Sequence, residues 1–127
     1  MHSEHEEAMR ADFHDRQSQA LKMAQPEVSD DQRYEIADHI SEFDQRWASG
    51  PYADEWAFLR AAHADWHAYP EQMGRFARDL EASRDVWEDY GLTDVNRRSV
   101  TQARHIAHEE RAALAALSQR QPIRRER

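Results

Sequence analysis

Residues 29–48 read SDDQRYEIADHISEFDQRWA, and the spacing of the apolar residues in this stretch decides the fold class. Four apolar side chains recur at steps of four, three and four residues, the period of one face of an α-helix, and predict one buried stripe: Ile36, Ile40, Phe43 and Trp47. Ser29 and Gln32 have the spacing of a capping box, in which the side chain of each accepts a hydrogen bond from the backbone N–H of the other. The stretch therefore predicts one uninterrupted helix over about residues 30–48.

Four carboxylates line the opposite side of this predicted helix. They follow the same steps of four, three and four residues and are Asp31, Glu35, Asp38 and Glu42. Like charges at this spacing destabilise an isolated helix by about 0.2–0.5 kcal/mol per pair. Two interpretations stay open. The row is a solvated face, or it is a line of charges roughly 5.4 Å apart that contacts a basic surface.

Glycine and proline divide the rest of the chain into further helical blocks. Breaks at Pro26, Gly50-Pro51, Pro70 and Gly91 predict helices over about residues 4–24, 53–68, 71–90 and 94–119. Alanine occurs 20 times, whereas isoleucine, valine and threonine together occur 10 times, a balance that favours helix over strand. The chain is therefore expected to be one all-α domain over residues 1–127. Short connections predict a small antiparallel bundle of about five helices, with a four-helix core plus an N-terminal helix.

The sequence determines the structure of the two ends of the chain less strongly. Residues 1–27 are expected to form an N-terminal helix or arm, and the thin apolar stripe that includes Met9 and Phe13 leaves a docked and a frayed segment both open. The last helix has a predicted inner face of Val100, Ala103, Ala107, Leu114 and Leu117. Residues 119–127, which contain Pro122, are expected to form a loose basic tail.

The charge of the chain is polarised along its length. The formal net charge is −8, but residues 1–94 contain 22 acidic and 9 basic residues, whereas residues 95–127 contain 3 acidic residues and 8 arginines. In one interpretation, the basic last helix packs among acidic neighbours and neutralises them within the fold. In the other, the two poles bind different partners or bind each other between copies of the chain.

Composition excludes several classes of site. The absence of cysteine excludes disulfides, thiolate metal sites and cysteine nucleophiles, and fits a reducing compartment. The acidic N-terminal residues have no apolar run typical of a signal peptide, and no stretch reaches the roughly 18 apolar residues that span a bilayer. We therefore expect a cytoplasmic protein without a membrane association.

The eight histidines suggest metal binding, but their spacing does not predict a core site. His63 and His67 stand four residues apart and can face one ion. His105 and His108 stand three residues apart, on the predicted outer face of their helix. Four inward ligands cannot be assembled from this spacing, so we expect neither a metal nor a cofactor. Phosphate-binding loops and hydrolase motifs are also absent, so we expect no enzyme.

These observations favour a non-enzymatic acidic module that binds a protein. Its carboxylate row would dock on a basic, nucleic-acid-binding surface of the partner, as an inhibitor, an antagonist or an adaptor. Immunity proteins, antitoxins and bacterial or phage anti-defence proteins are the functional types that this charge and size suit. One alternative is a nucleic-acid-associated regulator that uses the basic end, with contacts from Arg120, Arg124, Arg125 and Arg127. The other is a His/Glu metal-binding helical-bundle enzyme. A homo-oligomer also stays open.

Overall fold

Hydrogen bonds at the helix ends fix where the helices begin and stop. Ser29 Oγ accepts from the backbone N–H of Gln32 at 3.2 Å, and the backbone N–H of Ser29 donates to Gln32 Oε1 at 2.8 Å. The capping box predicted from the sequence is therefore confirmed. Thr93 and Asn96 form the same reciprocal pair, with both donor–acceptor distances at 3.1 Å. Gly91 has a φ of 71°, a conformation that side-chain-bearing residues rarely adopt.

A computed structural model describes residues 1–82 and 91–120, and the side chain of Arg120 lies outside this description. Within these residues there are five helices and no strands: α1 (Ser3–Lys22), α2 (Asp30–Ala48), α3 (Ala53–Ala68), α4 (Pro70–Ala82) and α5 (Asp94–Arg120). The predicted all-α helical bundle is confirmed. The part of the predicted 71–90 helix beyond residue 82, and residues 121–127, lie outside the described residues.

The core lies mainly between α3 and α5, which share the most extensive helix–helix interface of the described residues. Helix α1 packs against α2 and α5, and α4 packs against α3 and α5. Met9 and Phe13 of α1 are fully buried in the same apolar cluster as Trp56, Leu59 and Val100. The N-terminal helix is thus part of the core.

Helix α2 lies at the side of the bundle rather than at its centre. Of its predicted apolar stripe only Ile36 is buried, whereas Ile40, Phe43 and Trp47 are half-buried. The predicted stripe is thus only partly buried, because α2 packs mainly on α1 and α3, which cover one flank of it. Trp47 still stacks on Trp56, with ring centroids 5.9 Å apart and planes inclined by 14°.

The last helix extends beyond its neighbours. Helix α5 has 27 residues and α3 has 16, which correspond to lengths of about 40 Å and 24 Å. Leu114 of this helix is 42% exposed, so its predicted place on the inner face is wrong. In the described ranges, residues 1–82 and 91–120, no helix combines the length and the apolarity needed to cross a membrane.

Carboxylates that face inward are paired across helices. Glu6 of α1 forms ion pairs with Arg10 and with Arg98 of α5, both through oxygens closer than 3 Å to a guanidinium nitrogen. Asp12 of α1 accepts hydrogen bonds from Arg46 and from the indole of Trp47 at 2.7 and 2.8 Å. These contacts attach α1 to both α5 and α2.

A carboxylate of α2 in turn joins this helix to α1 and α3. Asp44 of α2 accepts two hydrogen bonds from the guanidinium of Arg16, at 2.8 and 2.9 Å, and a third from Trp56 Nε1 at 3.1 Å. Burial acts to raise the pKa of Asp44, but these contacts together lower it below its usual value. The carboxylate therefore stays ionised where α1, α2 and α3 meet.

Candidate functional site

The predicted carboxylate row lies on the outer face of α2. All four of its residues are exposed: Asp31, Glu35, Asp38 and Glu42. Within residues 1–82 and 91–120, none of them forms an ion pair or a side-chain hydrogen bond, in contrast to Glu6, Asp12 and Asp44. Four like charges thus face solvent on one helix, with no cation within ion-pair distance in the described part of the fold.

A large aromatic side chain lies beside this row. Tyr34 is 73% exposed and stands three residues after Asp31 and four residues before Asp38, so all three share one side of α2. Tyrosine combines a large apolar ring with a hydroxyl group, and it is enriched among the residues that dominate protein–protein binding energies. Row and ring together make the outer face of α2 a candidate contact surface.

A groove between α1 and α2 borders the same surface. Its volume is about 310 Å³, and Val28 and Ile36 contribute apolar lining beside Glu35 and His39. A second, smaller groove of about 250 Å³ lies beside Glu42. The carboxylate row therefore borders a concave, partly apolar surface along one edge.

A second candidate site lies between α3 and α5. His63 and His67 stand one turn apart on α3, and Glu110 reaches them from α5. The distances from Glu110 Oε1 to the two Nε2 atoms are 2.6 Å for His63 and 2.7 Å for His67. Both imidazoles therefore meet the same carboxylate oxygen.

Neighbouring side chains hold this cluster in place. Gln17 of α1, itself buried, lies with its amide nitrogen 3.2 Å from Glu110 Oε2. The ring of Phe13 packs edge-on against His63, with centroids 5.6 Å apart. Burial acts to raise the pKa of Glu110, but the hydrogen bonds with His63 and His67 outweigh it and lower this pKa to about 2. The carboxylate is thus held ionised although its side chain is buried.

The sequence interpretation identified the histidine pair but missed Glu110. A signal for it was present, because Glu110 follows Ala103 by seven residues and Ala107 by three and so falls on the predicted inner face of the last helix. What the spacing could not give was the alignment of α5 against α3, which brings Glu110 to the histidines. His105 and His108 are exposed, as predicted.

A third feature is a basic groove between α4 and α5. It has a volume of about 750 Å³, and its ionisable lining consists of Arg75, Arg78, Arg104, Arg111, His105, His108 and Glu71. Arg104 lies over the ring of Trp66, 5.3 Å from its centroid, and Arg111 donates a hydrogen bond to the Trp66 carbonyl. In the described part of the chain, Arg75, Arg78 and Arg104 form no ion pair with a carboxylate.

The predicted basic contacts at the end of the chain have side chains that lie outside the described residues. The backbone of Arg120 ends α5, whereas its side chain and Arg124, Arg125 and Arg127 lie outside the described residues. Of the basic residues after residue 94, Arg98 pairs within the fold, with Glu6.

Comparison of the chain with protein families, with curated proteins and with solved structures gives no match.

Proposed function

We propose that the protein is a non-enzymatic binding module whose α2 outer face docks on a basic surface of a partner protein. The observation that carries this proposal is the contrast between two sets of carboxylates. Those that face inward are paired, whereas Asp31, Glu35, Asp38 and Glu42 have no ion pair in the described residues. A helix that keeps four like charges unpaired accepts a small loss of stability, which a cationic partner would offset.

The physics of such a surface determines how the partner is captured. A row of carboxylates attracts a cationic protein over distances comparable to the Debye length, about 8 Å at physiological ionic strength. Complementary charge raises the association rate and selects against acidic partners. Tyr34 would supply the apolar contact that persists after docking, since desolvated aromatic residues near the centre of an interface contribute most of the affinity. Such a module would act as an inhibitor, an antagonist or an adaptor.

The test combines charge reversal with a matched control. One variant changes Asp31, Glu35, Asp38 and Glu42 to lysine. The control changes Glu7, Glu27, Asp65 and Glu81 to lysine, four exposed residues outside α2 that make no ion pair in the described residues. Both variants have the same net charge. A partner captured by the wild-type protein is then purified, and its Kd for all three proteins is measured at several salt concentrations.

We expect the α2 variant to lose at least about 100-fold in affinity and the control to stay within a few-fold of wild type. Circular dichroism checks that both variants keep their helicity. Equal losses of affinity in the two variants would show that net charge alone governs binding, and unchanged capture by the α2 variant would refute the docking face.

The basic groove between α4 and α5 favours a second candidate function, the binding of nucleic-acid phosphates. Arg75, Arg78 and Arg104 line the groove without carboxylate partners in the described residues, and phosphate oxygens are strong acceptors for guanidinium groups. Trp66, which also lines it, is almost fully buried and covered by Arg104, so the groove offers charge rather than a stacking platform. Binding of this kind would depend on the phosphate backbone and not on base sequence.

Fluorescence anisotropy with short single-stranded and duplex DNA tests this second candidate. Changing Arg75, Arg78 and Arg104 to glutamine is expected to reduce the slope of log K against log salt by about one per lost phosphate contact. Deletion of residues 119–127 tests whether the predicted tail contributes to DNA binding. No detectable binding of wild-type protein at low salt would discard the candidate.

A further inference from the structure

Two imidazoles and a carboxylate converge on one point between α3 and α5. His63 and His67 are four residues apart, so both rings project from the same side of α3, with centroids 4.9 Å apart. One ligand atom from each of His63, His67 and Glu110 can be chosen so that all three lie within 4.8 Å of one another. Three donor atoms from two helices therefore surround a common centre.

The spacing of these atoms is close to that of a first coordination shell. Bonds from zinc to histidine nitrogen or carboxylate oxygen are about 2.0–2.2 Å long, which places neighbouring ligand atoms of a tetrahedral site about 3.3 Å apart. The observed distances from Glu110 Oε1 to the imidazole nitrogens are 2.6 and 2.7 Å. Small side-chain rotations that lengthen these distances by roughly 0.6 Å would admit an ion between the carboxylate oxygen and the two imidazole nitrogens.

The surroundings supply what a metal site needs beyond its ligands. Gln17 contacts Glu110 Oε2 through its amide nitrogen, so this oxygen is engaged and Oε1 is left to face the two imidazoles. The side chains of Glu110 and His63 are mostly buried, whereas that of His67 is 33% exposed. The site is thus anchored on its inner side and open on its outer side, where an ion can enter and water can complete the shell.

We propose that His63, His67 and Glu110 bind one divalent transition-metal ion of the Zn²⁺ type. Two imidazole nitrogens and one carboxylate oxygen suit zinc and related borderline metals, whereas Mg²⁺ and Ca²⁺ prefer oxygen ligands alone. The ion links α3 to α5 at the interface that forms most of the core, and water occupies its remaining position. This site is independent of the α2 docking face.

The experiment is a titration of Zn²⁺ into the full-length, untagged protein after chelator treatment, followed by isothermal calorimetry. We expect one ion per chain with a Kd in the micromolar range or below. Co²⁺ is titrated in parallel, because the intensity of its visible absorption reports the coordination number. Zinc should also raise the melting temperature, since an ion that binds only the folded state stabilises it.

Three variants decide whether the proposed ligands are the right ones. His67→Ala and Glu110→Gln are each expected to weaken Zn²⁺ binding by more than the roughly 10- to 100-fold that loss of an outer-shell contact costs. The double variant His105→Ala/His108→Ala removes two exposed imidazoles from α5 and is expected to bind as wild type does. Circular dichroism verifies folding, and His67→Ala, which changes the most exposed of the three ligands, keeps the test valid if Glu110→Gln fails to fold.

The opposite results overturn the proposal. They are the absence of one-to-one binding to the wild-type protein, retention of binding by His67→Ala, or loss of binding in His105→Ala/His108→Ala. In any of these cases the cluster is a hydrogen-bonded core feature, and Zn²⁺ that does bind is held by surface histidines.

Discussion

Glu6 illustrates how a single buried carboxylate joins distant parts of the chain. It accepts hydrogen bonds from Arg98 of α5 at 2.8 Å and from Arg10 of its own helix at 2.6 and 3.0 Å. The hydrogen bonds from Arg98 and the charge of both arginines outweigh burial and lower the pKa of Glu6 to about 2. Its ionised form is therefore stabilised by folding.

This pKa predicts how stability depends on pH. The folded-state pKa lies below the usual value of 4.5, so the stabilisation is complete above about pH 4.5 and is lost as pH falls toward 2. Glu6→Gln should lower the free energy of unfolding by roughly 1–3 kcal/mol at neutral pH, and the difference from wild type should shrink below pH 4.5. Urea denaturation at a series of pH values measures it.

Glu7→Gln is the matched control, because Glu7 is the exposed neighbour of Glu6 and makes no ion pair in the described residues. Its stability should follow that of wild type at every pH. A constant difference between Glu6→Gln and wild type from pH 7 to pH 2 would contradict the assigned role of the Glu6 charge.

Individual residues also show where sequence interpretation stops. The Ser29–Gln32 capping box was predictable because both partners lie within one turn of chain. The contacts of Glu110 with the histidines were not predictable, because these partners belong to α3 and only tertiary packing brings them within 2.7 Å. Local chemistry can be predicted from a sequence, whereas the meeting of side chains from separate helices depends on how those helices are aligned.

At the scale of the helices, periodicity predicts the side that is buried but not the depth of burial. The bounds of α2 and α3 agree with the predicted 30–48 and 53–68. Ile40 and Phe43 of α2 and Leu114 of α5 are less buried than predicted, since the depth of burial depends on which neighbours cover each helix. Helix α2 lies at a flank, and α5 is longer than the helix it packs on.

This difference in depth makes a prediction with two leucines. Leu59 of α3 is fully buried, whereas Leu114 of α5 is 42% exposed. Leu59→Ala should destabilise the protein by about 2–5 kcal/mol, through lost burial and the cavity it leaves. Leu114→Ala should cost less than about 1 kcal/mol, because exposed substitutions rarely exceed this. Chemical denaturation compares the two variants, and equal costs would contradict the difference in burial between the two leucines.

For the whole molecule, the arrangement of charge matters more than the net value of −8. The acidic row faces outward from α2, and the basic groove lies between α4 and α5. Elsewhere in the fold, Glu6 and Arg98 neutralise each other. The uneven distribution of charge along the sequence is thus only partly neutralised within the fold. Two oppositely charged surfaces remain on different helices.

The burial of Met9 and Phe13 predicts that the molecule unfolds as one unit that includes α1. A chain that lacks residues 1–24 would lose both side chains from the core and would expose Trp56 and the cluster around Glu110. We expect this truncated chain to lose cooperative thermal unfolding, as measured by circular dichroism. A melting temperature within a few degrees of wild type would instead identify residues 1–24 as a separable arm.

The pairing of Glu6 with Arg98 has a consequence for synthesis on the ribosome. The two residues are 92 positions apart. At about 5–20 residues per second, translation takes roughly 5–18 s to advance from the first to the second. During that interval Met9 and Phe13 lack the α5 members of their core cluster, which include Val100, Ala103 and Ile106. The contacts of α1 with α2 can form early, whereas its contacts with α5 follow the synthesis of nearly the whole chain.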